Sequence, residues 1–133
     1  MKLIEHFIEG KNYSGDSKRK SKVFNPATGE QSAEVKLATK EDVNKAVENA
    51  KNSFEKWSNT PPLQRARVMF KSKELIEKNS DELTKIIVSE HGKVYEDAKG
   101  SLVRGLEVVE YACGIPQMLK GEFTENVGTG VDS

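Results

Sequence analysis

The sequence of 133 residues has one cysteine, Cys113, and two well-separated histidines, His6 and His91. A disulfide framework needs paired cysteines and a zinc site needs clustered Cys or His ligands, so both are excluded. A lone thiol fits a reducing compartment. Charge of one sign is also missing: 21 Lys+Arg balance 21 Asp+Glu, which leaves no field to hold nucleic acid or anionic lipid. No apolar run approaches the roughly 20 residues that cross a bilayer, and the segment from Met1 to His6 carries no signal-peptide core. Aromatic residues are sparse, at 7%, and the basic cluster Lys18, Arg19, Lys20 and Lys22 lacks a stacking platform, so it reads as solvated surface rather than an anion patch. These absences predict a cytoplasmic protein with no membrane and no nucleic-acid partner.

What is present predicts an α/β fold, with a β-rich part over 1–38, a helical part over 39–120 and a loop over 121–133. Hydrophobic residues make up 35% of the chain, enough for one core of ordinary size. Leu3 to Ile8 reads as a strand that Glu9-Gly10-Lys11-Asn12 turns back, followed by a polar loop from Ser14 to Ser21 and an extended segment at Val23-Phe24. Asn25-Pro26-Ala27-Thr28-Gly29-Glu30 is a turn signal, because proline fixes φ and Gly29 tolerates positive φ. Ala33, Val35 and Leu37 then alternate with polar residues, as in a half-buried strand.

From Thr39 the period becomes helical. Val43, Ala46, Val47, Ala50, Phe54 and Trp57 form one stripe, with Thr39 as N-cap and Asp42 near the positive dipole end. Pro61-Pro62 opens a second helix with Leu63, Ala66, Met69, Phe70 and Ile76 on its apolar side and Arg65, Arg67, Lys71 and Lys73 on its wet side, ending near Asn79. A third helix starts at Ser80 or Asp81, buries Leu83, Ile86 and Ile87, and stops at Gly92. A fourth runs from about Val94 to Cys113 with the stripe Tyr95, Ala98, Leu102, Leu106, Val109 and Cys113. Opposite that stripe Val108, Tyr111 and Ile115 form a second apolar face with Arg104 among them. A helix with two apolar faces wants a layer on each side, and the preceding residues cover only one.

Candidate chemistry is sparse. Cys113 lies in an apolar helix stripe, so a structural thiol is favoured over a nucleophile. His91 sits at a helix end, where its imidazolium suits the negative dipole pole better than a catalytic role, and His6 carries no specific signal. Gly128-Thr129-Gly130 lacks the flanking strand and helix of a phosphate loop and reads as a loop. Arg104 differs in kind: an arginine in an apolar face snorkels, pairs with a carboxylate such as Glu107, or receives an anionic ligand. No catalytic residue, cofactor-binding residue or metal ligand is assigned.

In order, Phe7-Ile8-Glu9-Gly10-Lys11, Val23 to Glu30, Ala50 to Trp57, Arg65-Ala66-Arg67 and Glu90-His91-Gly92-Lys93 resemble the opening of an aldehyde dehydrogenase. The segment from Gly100 to Pro116, continued by Leu119-Lys120-Gly121-Glu122, resembles the branch of CoA-acylating methylmalonate-semialdehyde dehydrogenases. The resemblance implies oxidation of malonate or methylmalonate semialdehyde with NAD and CoA, releasing carbon dioxide and giving acetyl-CoA or propionyl-CoA. It implies the amino-terminal strands and flanking helices of an incomplete NAD-binding domain, with nucleophile, cofactor turn and oligomerisation strand downstream. Neither NAD nor CoA is then expected to bind this chain alone. Its expected partner is the remainder of a dehydrogenase, or a second copy through the exposed helix face. By the same resemblance Arg104 helps hold the substrate carboxylate. A non-catalytic binding module, a subunit of a split enzyme and a piece of another aldehyde dehydrogenase branch are the alternatives.

Overall fold

A computed structural model describes residues 2–133. The run Leu3 to Ile8 is not one strand. It divides into β1 (Lys2–Ile4) and β2 (His6–Ile8), which belong to different sheets. β2 pairs with β3 (Lys11–Tyr13) around a tight turn in which Glu9 (φ 60°) and Gly10 (φ 75°) both take positive φ, the geometry that matches the twist of a two-residue hairpin. Lys11 and Asn12 are thereby strand residues rather than turn residues. β1 pairs in parallel with β5 (Gln31–Lys36), and β5 pairs antiparallel with β4 (Lys20–Phe24), giving the order β1-β5-β4. Lys20 and Ser21, expected in a loop, open β4, where Lys20 reaches Glu34 at 3.0 Å. Arg19 donates to the Ala38 carbonyl at 2.7 Å, so part of the basic cluster is spent on local structure. The β4–β5 turn is the one read from sequence: Ala27 N–H bonds to Asn25 Oδ1 at 2.9 Å, and Gly29 has φ 74°.

α1 (Lys40–Ser58) begins at the expected cap. Thr39 Oγ1 accepts from Asp42 N–H at 3.1 Å while Asp42 Oδ2 accepts from Thr39 N–H at 2.7 Å, a reciprocal pair that satisfies two of the helix's orphan donors. Its apolar stripe stays open, with Val47 61% and Phe54 68% exposed.

α2 (Pro62–Lys78), α3 (Ser80–His91) and α4 (Tyr95–Cys113) form a helical layer in which α4 lies against both others. Its buried residues are small: Ala66 on α2, Thr84 on α3 and Ala98 on α4, with Cys113 at the end of α4. Thr84 is tolerated there because its hydroxyl donates to the Ser80 carbonyl at 2.7 Å. The contact arc of α2 is rotated from the expected one. Arg65 and Lys73, assigned to the wet side, are half-buried, whereas Leu63 and Phe70 are exposed. On that edge Lys73 bridges to Glu110 of α4 at 3.2 Å. Ile86 of α3, expected in the core, is exposed at 48%, whereas Thr84 is buried and Leu83 and Ile87 are half-buried. α3 ends at Gly92 in the left-handed conformation, as expected.

α4 buries Ala98 and Cys113 of its first stripe, half-buries Leu102, Leu106 and Val109 and leaves Tyr95 exposed, whereas the second face is bare, with Val108 67% and Tyr111 69% exposed. Ile115 falls outside α4, in a one-turn helix α5 (Ile115–Met118) that raises the helix count from the expected four to five. The final segment closes a small loop through paired backbone bonds of Thr124 with Ser133 and a bridge of Gly128 with Val131.

Candidate functional site

Arg104 lies on α4, exposed, and its side chain runs back toward the helix N-terminus, where a Cβ added at Gly100 would sit 3.5 Å from its Nη1. Nη2 donates to Ser101 Oγ at 3.1 Å. Ser101 Oγ also accepts from Lys93 Nζ at 3.0 Å and donates to the Asp97 carbonyl at 3.2 Å. Lys93 Nζ lies 3.0 Å from Asp97 Oδ2. Asp97 titrates below the ordinary carboxylate value, chiefly through the hydrogen bond and charge of Lys93, with smaller contributions from the charges of Arg104 and His91. Among the described residues Arg104 forms no ion pair, and Glu107 is not its partner.

The other candidates fall apart from this cluster. Cys113 is a buried free thiol at the end of α4, on the packed side. His91 stands exposed in the last turn of α3, placed for the dipole role. His6 stacks obliquely near Tyr13, with ring centroids 6.3 Å apart. Lys93, Asp97 and Ser101 were not singled out from sequence. Their signal was available, since Asp97, Ser101 and Arg104 recur at helical spacing and share one face.

Among the described residues the Gly128-Thr129-Gly130 segment is a loop, as the sequence reads it. Thr129 and Gly130 make the tip of the small loop closed by Gly128 and Val131, with no strand-to-helix junction to receive a pyrophosphate. The recess between α2 and the α4–α5 corner, lined by Trp57, Met69 and Ile115 among others, measures about 230 Å³. Among the described residues no helix is long and apolar enough to cross a membrane.

The aldehyde dehydrogenase family model matches residues 13–133, from the end of β3 through the helical layer. The chain belongs to the aldehyde dehydrogenase family. This aldehyde dehydrogenase chain is 45% identical over 133 residues to malonate-semialdehyde dehydrogenase of Pseudomonas aeruginosa strain PAO1, covering 100% of itself and 27% of that relative. The crystal structure of methylmalonate-semialdehyde dehydrogenase from Oceanimonas doudoroffii superposes with a TM-score of 0.91 at 50% identity, over 99% of this chain and 27% of that one. A Sinorhizobium meliloti 1021 structure, described as a methylmalonate-semialdehyde dehydrogenase complexed with NAD, gives 0.90 at 49% identity, again over 99% and 27%. The chain thus spans about 27% of the length of the relatives it matches, and the matched part is their amino-terminal portion.

Proposed function

We propose that this chain provides the amino-terminal part of an NAD-dependent, CoA-acylating dehydrogenase of malonate or methylmalonate semialdehyde, and that Arg104 holds the substrate carboxylate. The observation that carries the reading is the state of Arg104: an exposed guanidinium beside the apolar second face of α4, held by the Ser101 hydroxyl and without an ion-pair partner among the described residues. A semialdehyde acid supplies that carboxylate. Nucleophile, NAD and CoA sites belong to the polypeptide that covers the bare faces of α1 and α4 in an assembled dehydrogenase, and that polypeptide is the proposed partner. A cytoplasmic location is part of the same proposal, with which the free thiol of Cys113 is compatible.

The test is a chimera in which this chain replaces the matched segment of the P. aeruginosa relative. It is expected to form NADH from malonate semialdehyde in a CoA-dependent reaction, whereas the 133-residue chain alone forms none. A chimera that turns over only aldehydes without a carboxylate overturns the substrate assignment.

A further inference from the structure

The orientation of Arg104 is set by a single neutral oxygen. A serine hydroxyl has one proton to donate and two lone pairs to accept with. In Ser101 the proton goes to the Asp97 carbonyl, and the two lone pairs take Lys93 Nζ and Arg104 Nη2, at 3.2, 3.0 and 3.1 Å respectively. The hydroxyl is saturated, so its rotor has one position that satisfies all three partners. Lys93 is itself anchored by the Asp97 carboxylate. Asp97 therefore fixes Lys93 through its side chain and Ser101 through its backbone, and Ser101 in turn holds Arg104.

This chain of contacts ends in an imbalance. Two cations share one uncharged oxygen, and among the described residues Lys93 is ion-paired with Asp97, whereas Arg104 feels that carboxylate at longer range and has no ion pair. The two cations repel, and an anion placed against the free side of Arg104 relieves the repulsion while Lys93 adds to the local positive potential. Only one hydrogen bond of the guanidinium is used, leaving most of its five N–H donors for a bidentate grip.

We infer that Ser101 is a positioning residue for substrate recognition, aiming the Arg104 fork at the incoming carboxylate, with Lys93 orienting the hydroxyl that does so. The inference rests on the carboxylate role proposed for Arg104 and extends it to an uncharged side chain one turn earlier. Free of that hydroxyl, Arg104 samples many rotamers over an exposed helix surface, and the fork is no longer presented in one direction.

Two measurements test it. In the 133-residue chain, side-chain 15N relaxation is expected to find the Arg104 Nε–H ordered in the parent and in Ser101→Thr, and as mobile as that of exposed Arg67 in Ser101→Ala. In the chimera, Ser101→Ala is expected to raise KM for malonate semialdehyde about tenfold, as losing one charge-assisted hydrogen bond does. Its kcat and its use of propanal stay near those of the parent chimera, and Ser101→Thr restores KM. Unchanged order of Arg104 in Ser101→Ala, equal losses on both aldehydes, or failure of Ser101→Thr to restore KM each overturn the inference. A chimera inactive on every aldehyde removes the dehydrogenase reading instead, and the relaxation comparison still decides whether Ser101 holds Arg104.

Discussion

The Tyr13 hydroxyl donates to the Asp42 carboxylate at 3.0 Å and so ties the β2–β3 hairpin to the first turn of α1. Asp42 is already the capping-box partner of Thr39, and Lys45 Nζ lies over the Tyr13 ring, 4.1 Å from its centre. One carboxylate thus serves both the helix start and the hairpin.

This double use predicts a two-sided pH dependence. The Thr39 backbone and hydroxyl donors, then the Tyr13 hydroxyl, hold Asp42 below the ordinary carboxylate value, while the same Asp42 bond holds Tyr13 above the ordinary phenol value. A lowered acid stabilises the fold fully above its unfolded pKa of about 3.9, and that contribution fades as pH falls through the lower folded value. A raised phenol contributes fully below about 10, and its contribution is lost as pH rises through the higher folded value. Urea denaturation across pH is expected to show both limbs, with Tyr13→Phe reducing the alkaline limb, to which Tyr95, held above the ordinary phenol value by its bond to Asp81, also contributes. An alkaline limb unchanged in Tyr13→Phe assigns it to another group.

Gly92 closes α3 with φ +75°, and a Cβ placed there would lie 3.2 Å from Cγ of Pro26 in the β4–β5 turn. Gly92→Ala combines left-handed strain with that crowding and is expected to cost on the order of 1–3 kcal/mol. A denaturation midpoint equal to that of the parent chain would remove both effects from consideration.

Val47 and Phe54 on α1, with Val108 and Tyr111 on α4, leave broad apolar surface uncovered. Such surface associates or binds hydrophobic dyes. The 133-residue chain is expected to show concentration-dependent light scattering and dye fluorescence, both reduced by Phe54→Glu and Val108→Glu. A monodisperse monomer that binds no dye is the contrary outcome.

Arg104→Leu in the chimera removes the proposed carboxylate grip outright. Charge-assisted hydrogen bonds contribute about 1.5–3 kcal/mol each, so KM for methylmalonate semialdehyde should rise by at least about tenfold while propanal is spared. Equal losses on both substrates would assign Arg104 a structural role.

Features set within a few residues were legible from the sequence. The Thr39–Asp42 cap, Pro62 at the start of α2, Gly92 at the end of α3 and the Asn25–Glu30 turn all depend on contacts between near neighbours, and each is where the sequence places it. So does the bare face of α4, because helical periodicity alone counts its apolar sides. What depends on distant partners was decided by the tertiary structure. Leu3 to Ile8 splits because its first half finds β5 and its second half finds β3, and no local property distinguishes the halves. Lys73 of α2, read as a wet-side residue, is half-buried and meets Glu110 on α4, far along the chain. The site followed the same division: Arg104 stood out locally as a charge in an apolar face, whereas the hold on it by Ser101 also needs Lys93, whose side chain reaches α4 only once the α3–α4 junction is folded.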